Sequence, residues 1–183
     1  MPDKRDANDV LWYVMRGHSS CISKIRTTLE EKGVEYFQPR RYVLETKNGR
    51  KKKVLKYVLK DFFFVHSSRK NLDTFIGELS VRFNFYYDIC SHVQNDCMIV
   101  PNGEMENFIL VATAYDDNPT YLPANEVNLN KGDRVRIVGG YFDGYEGTYM
   151  QVKRGQKKRL VVCLDGILAV TAYVDPDYVQ LLK

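Results

Sequence analysis

Lys131-Gly132-Asp133-Arg134-Val135-Arg136-Ile137, followed by Gly139-Gly140-Tyr141-Phe142-Asp143-Gly144-Tyr145-Glu146-Gly147, is the stretch that decides the fold of the C-terminal third. An alternating strand over Arg134–Val138 runs into a glycine-punctuated loop, and the last glycine stands where the next strand begins. A tight corner needs positive φ and close backbone approach, which glycine adopts at least cost. Further short strands are predicted at Thr148–Lys153, Arg159–Leu164, Leu168–Val174 and Tyr178–Leu182. Five short strands in such a span point to a small curled barrel. The β-branched residues Val135, Ile137, Val152, Val161, Val162, Val170, Thr171 and Val174 favour strands over helix.

Upstream of this module the texture differs. From Tyr115 to Asn130 the sequence is turn-rich and aperiodic, with Asp116-Asp117-Asn118-Pro119 and Leu122-Pro123-Ala124-Asn125, and reads as an interdomain linker. The domain expectation is therefore 9–114 for an N-terminal domain, 115–128 for a linker and 129–183 for the barrel.

In the N-terminal part, Val10–Met15 reads as a buried strand. Ser19 or Ser20 caps a helix with Ile22, Ile25 and Leu29 on one face, and Gly33 stops it. Val34–Phe37 is extended up to Pro39. Two extended runs flank Asn48-Gly49, a strong hairpin signal. Phe62-Phe63-Phe64-Val65 is a continuous apolar strand suited to a sheet centre. Asn71 or Asp73 opens a second helix through Phe75, Ile76 and Leu79, and Phe83–Tyr87 is strand-like. Val100-Pro101 begins a third helix with Met105, Phe108, Ile109 and Ala112 at helical spacing. The order βα, β-hairpin, βαβα predicts an α+β sandwich, with helices packed against an antiparallel sheet.

Composition narrows the function classes. The chain has 183 residues, 44 % hydrophobic and 27 % charged, which is ordinary globular material. It has no apolar run of the roughly 20 residues a membrane helix needs, and no apolar leader follows Met1, so a cytoplasmic location is expected. Cys21, Cys90, Cys97 and Cys163 lack a disulfide framework and read as reduced thiols. Cys90, His92 and Cys97 lie close together, but their spacing and the missing fourth ligand argue against zinc. No metal or cofactor is implied. There is no nucleophile elbow, P-loop or HExxH, and His18, His66 and His92 are scattered, so an enzyme is not expected.

The net charge of +4 is unevenly distributed. Arg40, Arg41, Lys47, Arg50, Lys51, Lys52, Lys53, Lys56 and Lys60 are opposed only by Glu45. Such a stretch is either a solvated hairpin tip or a probe for polyanions and acidic surfaces, and the two are compatible.

The glycine stretch resembles the KOW motif, with Gly132, Asp133, Gly139, Gly140, Phe142, Gly144 and Gly147 as its signature. Trp12-Tyr13-Val14, the helix ending in Leu29-Glu30, Phe37-Gln38-Pro39 and Phe62-Phe63-Phe64-Val65 resemble the N-terminal domain of NusG. Together the two resemblances cover about residues 9–183. They imply a NusG-type α/β sandwich followed by a five-stranded, SH3-like KOW β-barrel. Phe62-Phe63-Phe64-Val65-His66-Ser67, Val100-Pro101-Asn102-Gly103-Glu104-Met105-Glu106-Asn107-Phe108 and Thr171-Ala172-Tyr173-Val174 resemble the UpxY branch. These are antiterminators of capsular-polysaccharide operons in Bacteroidota.

The resemblance implies a monomeric, operon-specialised processivity or antitermination factor that binds elongating RNA polymerase and opposes pausing or termination. An apolar pocket at Trp12, Leu59 and Phe62 would receive the clamp helices of the β′ subunit; the alternative is that Trp12 and Phe62 are core. Lys60-Asp61 stand where a Pro-Gly pair usually precedes the aromatic strand. Asp73 and Thr74 would meet the gate loop of the β subunit. Arg16, His18 and Lys24 would contact non-template DNA or leader RNA, or form a solvated face, with Arg50, Lys51, Lys52 and Lys53 as further nucleic-acid contacts. Tyr13 either stacks on a base or packs. In the barrel, Asp165 stands where the family has an apolar partner residue, which argues against ribosomal-protein or Rho binding, with Ile167 as its substitute. The second functional reading is a ribosome-associated or structured-RNA-binding KOW protein.

Overall fold

The computed structural model describes residues 6–87, 97–114, 119–123, 132–151, 158–164 and 167–182. They divide into two compact units, one within Met1–Pro39 and Tyr57–Asn102, the other within Arg40–Lys56 and Gly103–Lys183. The fold is mixed α/β with antiparallel sheets, as the order of elements predicts. Among the described residues no helix is long and apolar enough to cross a membrane.

The first unit is built on β1 (Val10–Gly17), which lies between β5 (Phe62–Ser68) and β6 (Phe83–Phe85). β2 (Glu35–Phe37) extends the sheet beyond β5, and β7 (Ile99–Val100) also pairs with β1. The register sets Trp12 opposite His66, Val14 opposite Phe64 and Arg16 opposite Phe62. Alternation then puts Tyr13, Met15, Phe63 and Val65 on the other face, where they form one core with both helices. Helix α1 (Ile22–Glu31) contributes Ile22, Ile25 and Leu29; helix α2 (Arg69–Glu78) contributes Leu72 and Phe75. Each such side chain contributes about 1.5–3 kcal/mol of burial.

The helix boundaries refine the sequence expectations. His18, not Ser19 or Ser20, caps the entry: its Nδ1 accepts from the Ser20 N–H, and a 3-10 turn at Ser19–Cys21 precedes α1. At the far end the Val34 N–H reaches the Leu29 carbonyl at 2.9 Å and the Gly33 N–H reaches Glu30 at 3.1 Å, a Schellman ending. Helix α2 starts earlier than Asn71 or Asp73. Ser68 is the last residue of β5 and still extended, so its Oγ accepts from the Asn71 N–H at 3.3 Å and caps the helix. Val100 belongs to β7 opposite Trp12, so the third helix, α3, begins after Pro101 and runs Asn102–Thr113. It buries Met105, Phe108, Val111 and Ala112, whereas Ile109 is half-buried.

In the second unit, β3 (Arg40–Lys47) and β4 (Arg50–Tyr57) pair as a separate two-stranded ribbon. Asn48 and Gly49 join them with φ of 52° and 73°, the conformation of a tight hairpin turn. β8 (Thr120–Pro123), β9 (Asp133–Ile137), β10 (Glu146–Gln151), β11 (Lys158–Leu164), β12 (Leu168–Ala172) and β13 (Val179–Leu181) form a six-stranded sheet in the order β13-β9-β10-β11-β12-β8.

This differs from a closed five-stranded barrel: among the described residues the pairings follow an open path, and β8 is a sixth strand. β8 lies inside the segment 115–128 that turn residues mark as a linker. Thr120-Tyr121-Leu122 is nonetheless a strand, because Tyr121 is buried and pairs with Val170, covering the outer edge of β12. All five residues of β12 are buried accordingly. Gly139, Gly140 and Gly144 have φ of 99°, 72° and 82°, which explains the glycines of the β9–β10 loop. Gly147 is required by space: a Cβ there would lie 2.7 Å from Leu160 Cδ1 and 3.2 Å from the Val161 carbonyl.

Candidate functional site: a basic and aromatic cleft

At the Gly17 end of β1 the first unit opens a shallow cleft of about 580 Å³. Arg16 is part of its lining, and the register sets it opposite Phe62 on one side and Asn84 on the other. Its guanidinium carbon lies 5.5 Å from the centre of the Phe62 ring, a cation–π contact, and Nη2 is 3.8 Å from Asp61 Oδ2. Phe62 in turn meets Tyr86 edge to face at 5.0 Å. The His18 N–H donates to the Arg82 carbonyl at 3.0 Å, bringing a second guanidinium-bearing residue to the rim. His18 Nδ1 also lies 2.8 Å from Ser20 Oγ.

The cleft lining therefore brings Arg16, His18 and Arg82 together with Tyr86 and Tyr87, with Asp61 as its carboxylate, while Phe62 touches Arg16 and Tyr86 from outside the lining. Cations beside rings suit phosphates and unstacked bases. The exposed Arg16–Asp61 pair is a weak contact that a polyanion can displace.

The buried Gln38 and the half-buried Arg26 brace Phe62. Gln38 Nε2 donates to the Phe62 carbonyl at 2.8 Å, and Gln38 Oε1 accepts from Arg26 Nε at 2.9 Å. Arg26 is held over the Tyr57 ring at 3.9 Å. The bend carrying Lys60-Asp61 needs no glycine: Asn48 is the one non-glycine with positive φ among the described residues. The Asp61 carbonyl accepts from the Gly17 N–H at 2.8 Å and ties that bend to β1.

The remaining expected site residues do not all converge. Trp12 and Phe62 share a face but stand four rungs apart, roughly 13 Å at 3.3 Å per residue. Trp12 is only 3 % exposed and stacks on His66 at 4.7 Å with a 12° tilt. His66 Nδ1 lies 2.7 Å from Glu35 Oε2. Leu59 and Phe62 are half-buried. Tyr13 packs in the core, edge to face with Phe85 at 5.5 Å. Lys24 is exposed on α1.

Asp73 and Thr74 are exposed on α2, with Arg69 Nε at 3.2 Å from Asp73 and Thr74 Oγ1 donating to the Lys70 carbonyl. Arg50, Lys51, Lys52 and Lys53 are exposed on β4. Of the turn signature, Phe142 is buried against the exposed Tyr141, and the Gly139 N–H donates to Asp143 Oδ1. Ile167 is half-buried in a turn, its N–H on the Leu164 carbonyl. Asp165, Cys90 and His92 lie outside the described residues, and among those described no cluster of His, Cys, Asp and Glu could hold a metal.

Arg82, Asn84 and Tyr86 are absent from the sequence-derived set. Their only linear signal is an alternating Arg-Phe-Asn-Phe-Tyr run, which reads as an ordinary strand until β1 is known to pair with it.

An α/β unit with an open cleft of cations and rings has the build of a binding protein. The chain matches the family described as "Transcription termination factor nusG" over residues 11–129, and it belongs to that family. Members are transcription factors of elongation and antitermination that bind RNA polymerase, not enzymes. No curated protein matches the chain.

Proposed function

We propose that this chain is an operon-specialised processivity factor of the UpxY type, monomeric and cytoplasmic, which binds elongating RNA polymerase and suppresses pausing or termination in polysaccharide-biosynthesis operons. The observation that carries this reading is the cleft of Arg16, His18, Arg82 and Tyr86, with Phe62 packed on Arg16 and Tyr86, all within the family-matched segment. Exposed non-template DNA or leader RNA is its ligand, with cations on phosphates and a ring against a base.

Leu59 and Phe62 are the anchors for the β′ clamp helices, with Trp12 supporting the same sheet face from its stack on His66. Asp73 and Thr74 face the β gate loop. The six-stranded sheet with its glycine loop is a KOW-type module whose partner loop includes Asp165 and Ile167, and the acid at 165 disfavours ribosomal-protein or Rho contacts. Lys24 and the basic ribbon, through Arg50 to Lys53, add non-specific attraction for nucleic acid.

Capture of core RNA polymerase by the wild type and by Leu59→Asp/Phe62→Asp tests the reading. Wild type should retain polymerase and the double variant should not. Equal capture by both overturns the pocket, and no capture by either overturns the polymerase reading. In that last case, steeply salt-dependent binding of structured RNA through Lys51, Lys52 and Lys53 would mark an RNA-binding KOW protein. Polysaccharide-biosynthesis genes immediately downstream would support the operon assignment.

A further inference from the structure

The β3–β4 ribbon carries two chemically different faces. Glu45 is paired with Lys56, whereas Lys53 Nζ lies 4.4 Å over the Tyr42 ring. Because side chains alternate along a strand, these two contacts sort the rest. Tyr42 and Leu44 share one face with Lys51, Lys53 and Leu55; Arg41, Glu45, Lys52 and Lys56 share the other. The run Arg50–Lys53, continuous in sequence, is thereby split between the two faces.

On the first face Tyr42 is 49 % exposed, Leu44 73 % and Leu55 41 %. A single exposed leucine needs no explanation, but a contiguous apolar row on a ribbon that pairs with no third strand among the described residues does. The row is bordered by Lys51 and Lys53 and carries no carboxylate, since Glu45 is the only acid between residues 40 and 57 and belongs to the opposite face.

We propose that the Tyr42–Leu44–Leu55 face of the ribbon docks an acidic amphipathic helix of a partner protein. Charge decides the sign of the partner: an apolar row framed by lysines and free of acids selects apolar anchors flanked by Asp or Glu. Spacing decides its form. Tyr42 and Leu44, two residues apart on a strand, are about 6.6 Å apart, close to the about 6 Å between i and i+4 of a helix. A nucleic acid is the poorer fit, because Leu44 and Leu55 offer no ring to a base and no donor to a phosphate. The Arg41, Lys52 and Lys56 face is the one suited to a polyanion. This face shares no residue with the polymerase anchors or the cleft and does not rest on them.

The test uses the full chain labelled with ¹⁵N and a synthetic helix of about 18 residues, five turns. The peptide carries Leu at i, i+4 and i+7 and Glu on the flanks, and a control replaces each Glu by Lys. The acidic peptide should shift amides of residues 42–44 and 51–55. Leu44→Ser and, separately, Lys51→Glu/Lys53→Glu should each weaken it about ten-fold or more, and the basic control should not bind. Leu44 is a surface residue, so far-ultraviolet circular dichroism should be unchanged in Leu44→Ser. Shifts confined to other residues, or an affinity unmoved by Leu44→Ser, would overturn the proposal. So would duplex DNA or phosphatidylserine vesicles giving the same shifts and losing them in Leu44→Ser, because the face would then belong to that ligand.

Discussion

The guanidinium of Arg16 lies over the ring of Phe62, its direct neighbour across the β1–β5 ladder, 5.5 Å from the ring centre. The contact joins a nucleic-acid candidate to a polymerase-anchor candidate, so the two roles cannot be perturbed independently. Anything that seats against Phe62 also meets Arg16 and, through Tyr86, the rest of the cleft.

Arg16→Ala should weaken binding of a single-stranded DNA oligonucleotide about ten-fold and reduce the magnitude of its salt slope by about 0.7, the share of one phosphate contact on a single strand. Thermal stability should barely move, since Arg16 is exposed and its pair with Asp61 is weak. Fluorescence anisotropy across a salt series measures both quantities. An unchanged slope would remove Arg16 from the interface.

Trp12→Ala should cost about 3–5 kcal/mol in urea unfolding, as expected for a buried aromatic. Phe62→Ala, half-buried, should cost about 2 kcal/mol. If Trp12→Ala unfolds at the wild-type urea concentration yet loses polymerase, Trp12 is a surface anchor and its burial is not what holds it.

Ser68→Ala should destabilise the chain by about 1 kcal/mol through loss of the α2 cap, whereas Asn71→Ala, whose N–H still needs that cap, should be near neutral. Equilibrium denaturation of the two variants separates them. The reverse order would move the helix start.

Burial raises the phenol of Tyr121 to about 12, and burial together with the Glu30 hydrogen bond raises Tyr36 to about 12. In the unfolded chain both titrate near 10, so between these values the folded state holds protons that the unfolded state has lost. Stability is therefore full below pH 10 and falls as pH rises toward 12. Tyr121→Phe should lessen that fall. At neutral pH it should cost about 1 kcal/mol for the hydroxyl donated to the Arg40 carbonyl. Melting temperatures at pH 7 and pH 11 for both proteins test the sign.

Local chemistry made much of this protein legible from residues alone. Asn48-Gly49 marks its hairpin turn, Gly33 its helix end, and Gly139 to Gly147 a loop that needs positive φ, because each condition is met within a few residues. The same reasoning read Phe62-Phe63-Phe64-Val65 as one continuous apolar strand without separating its two faces, and the family resemblance offered Arg16 and His18 as candidate contacts. Pairing between distant segments was not legible. Thr120–Pro123 is a strand because Tyr121 is buried beside Val170, not because of its neighbours in sequence. Arg82, Asn84 and Tyr86 join the cleft because β6 lies beside β1, and Trp12 stands apart from Phe62 because four rungs of register separate the two. The four-residue basic run became two faces only once its strand had a partner. Alternation and turn chemistry are local properties of the chain, whereas register and strand order depend on which distant surfaces bury each other, and the tertiary structure decided those.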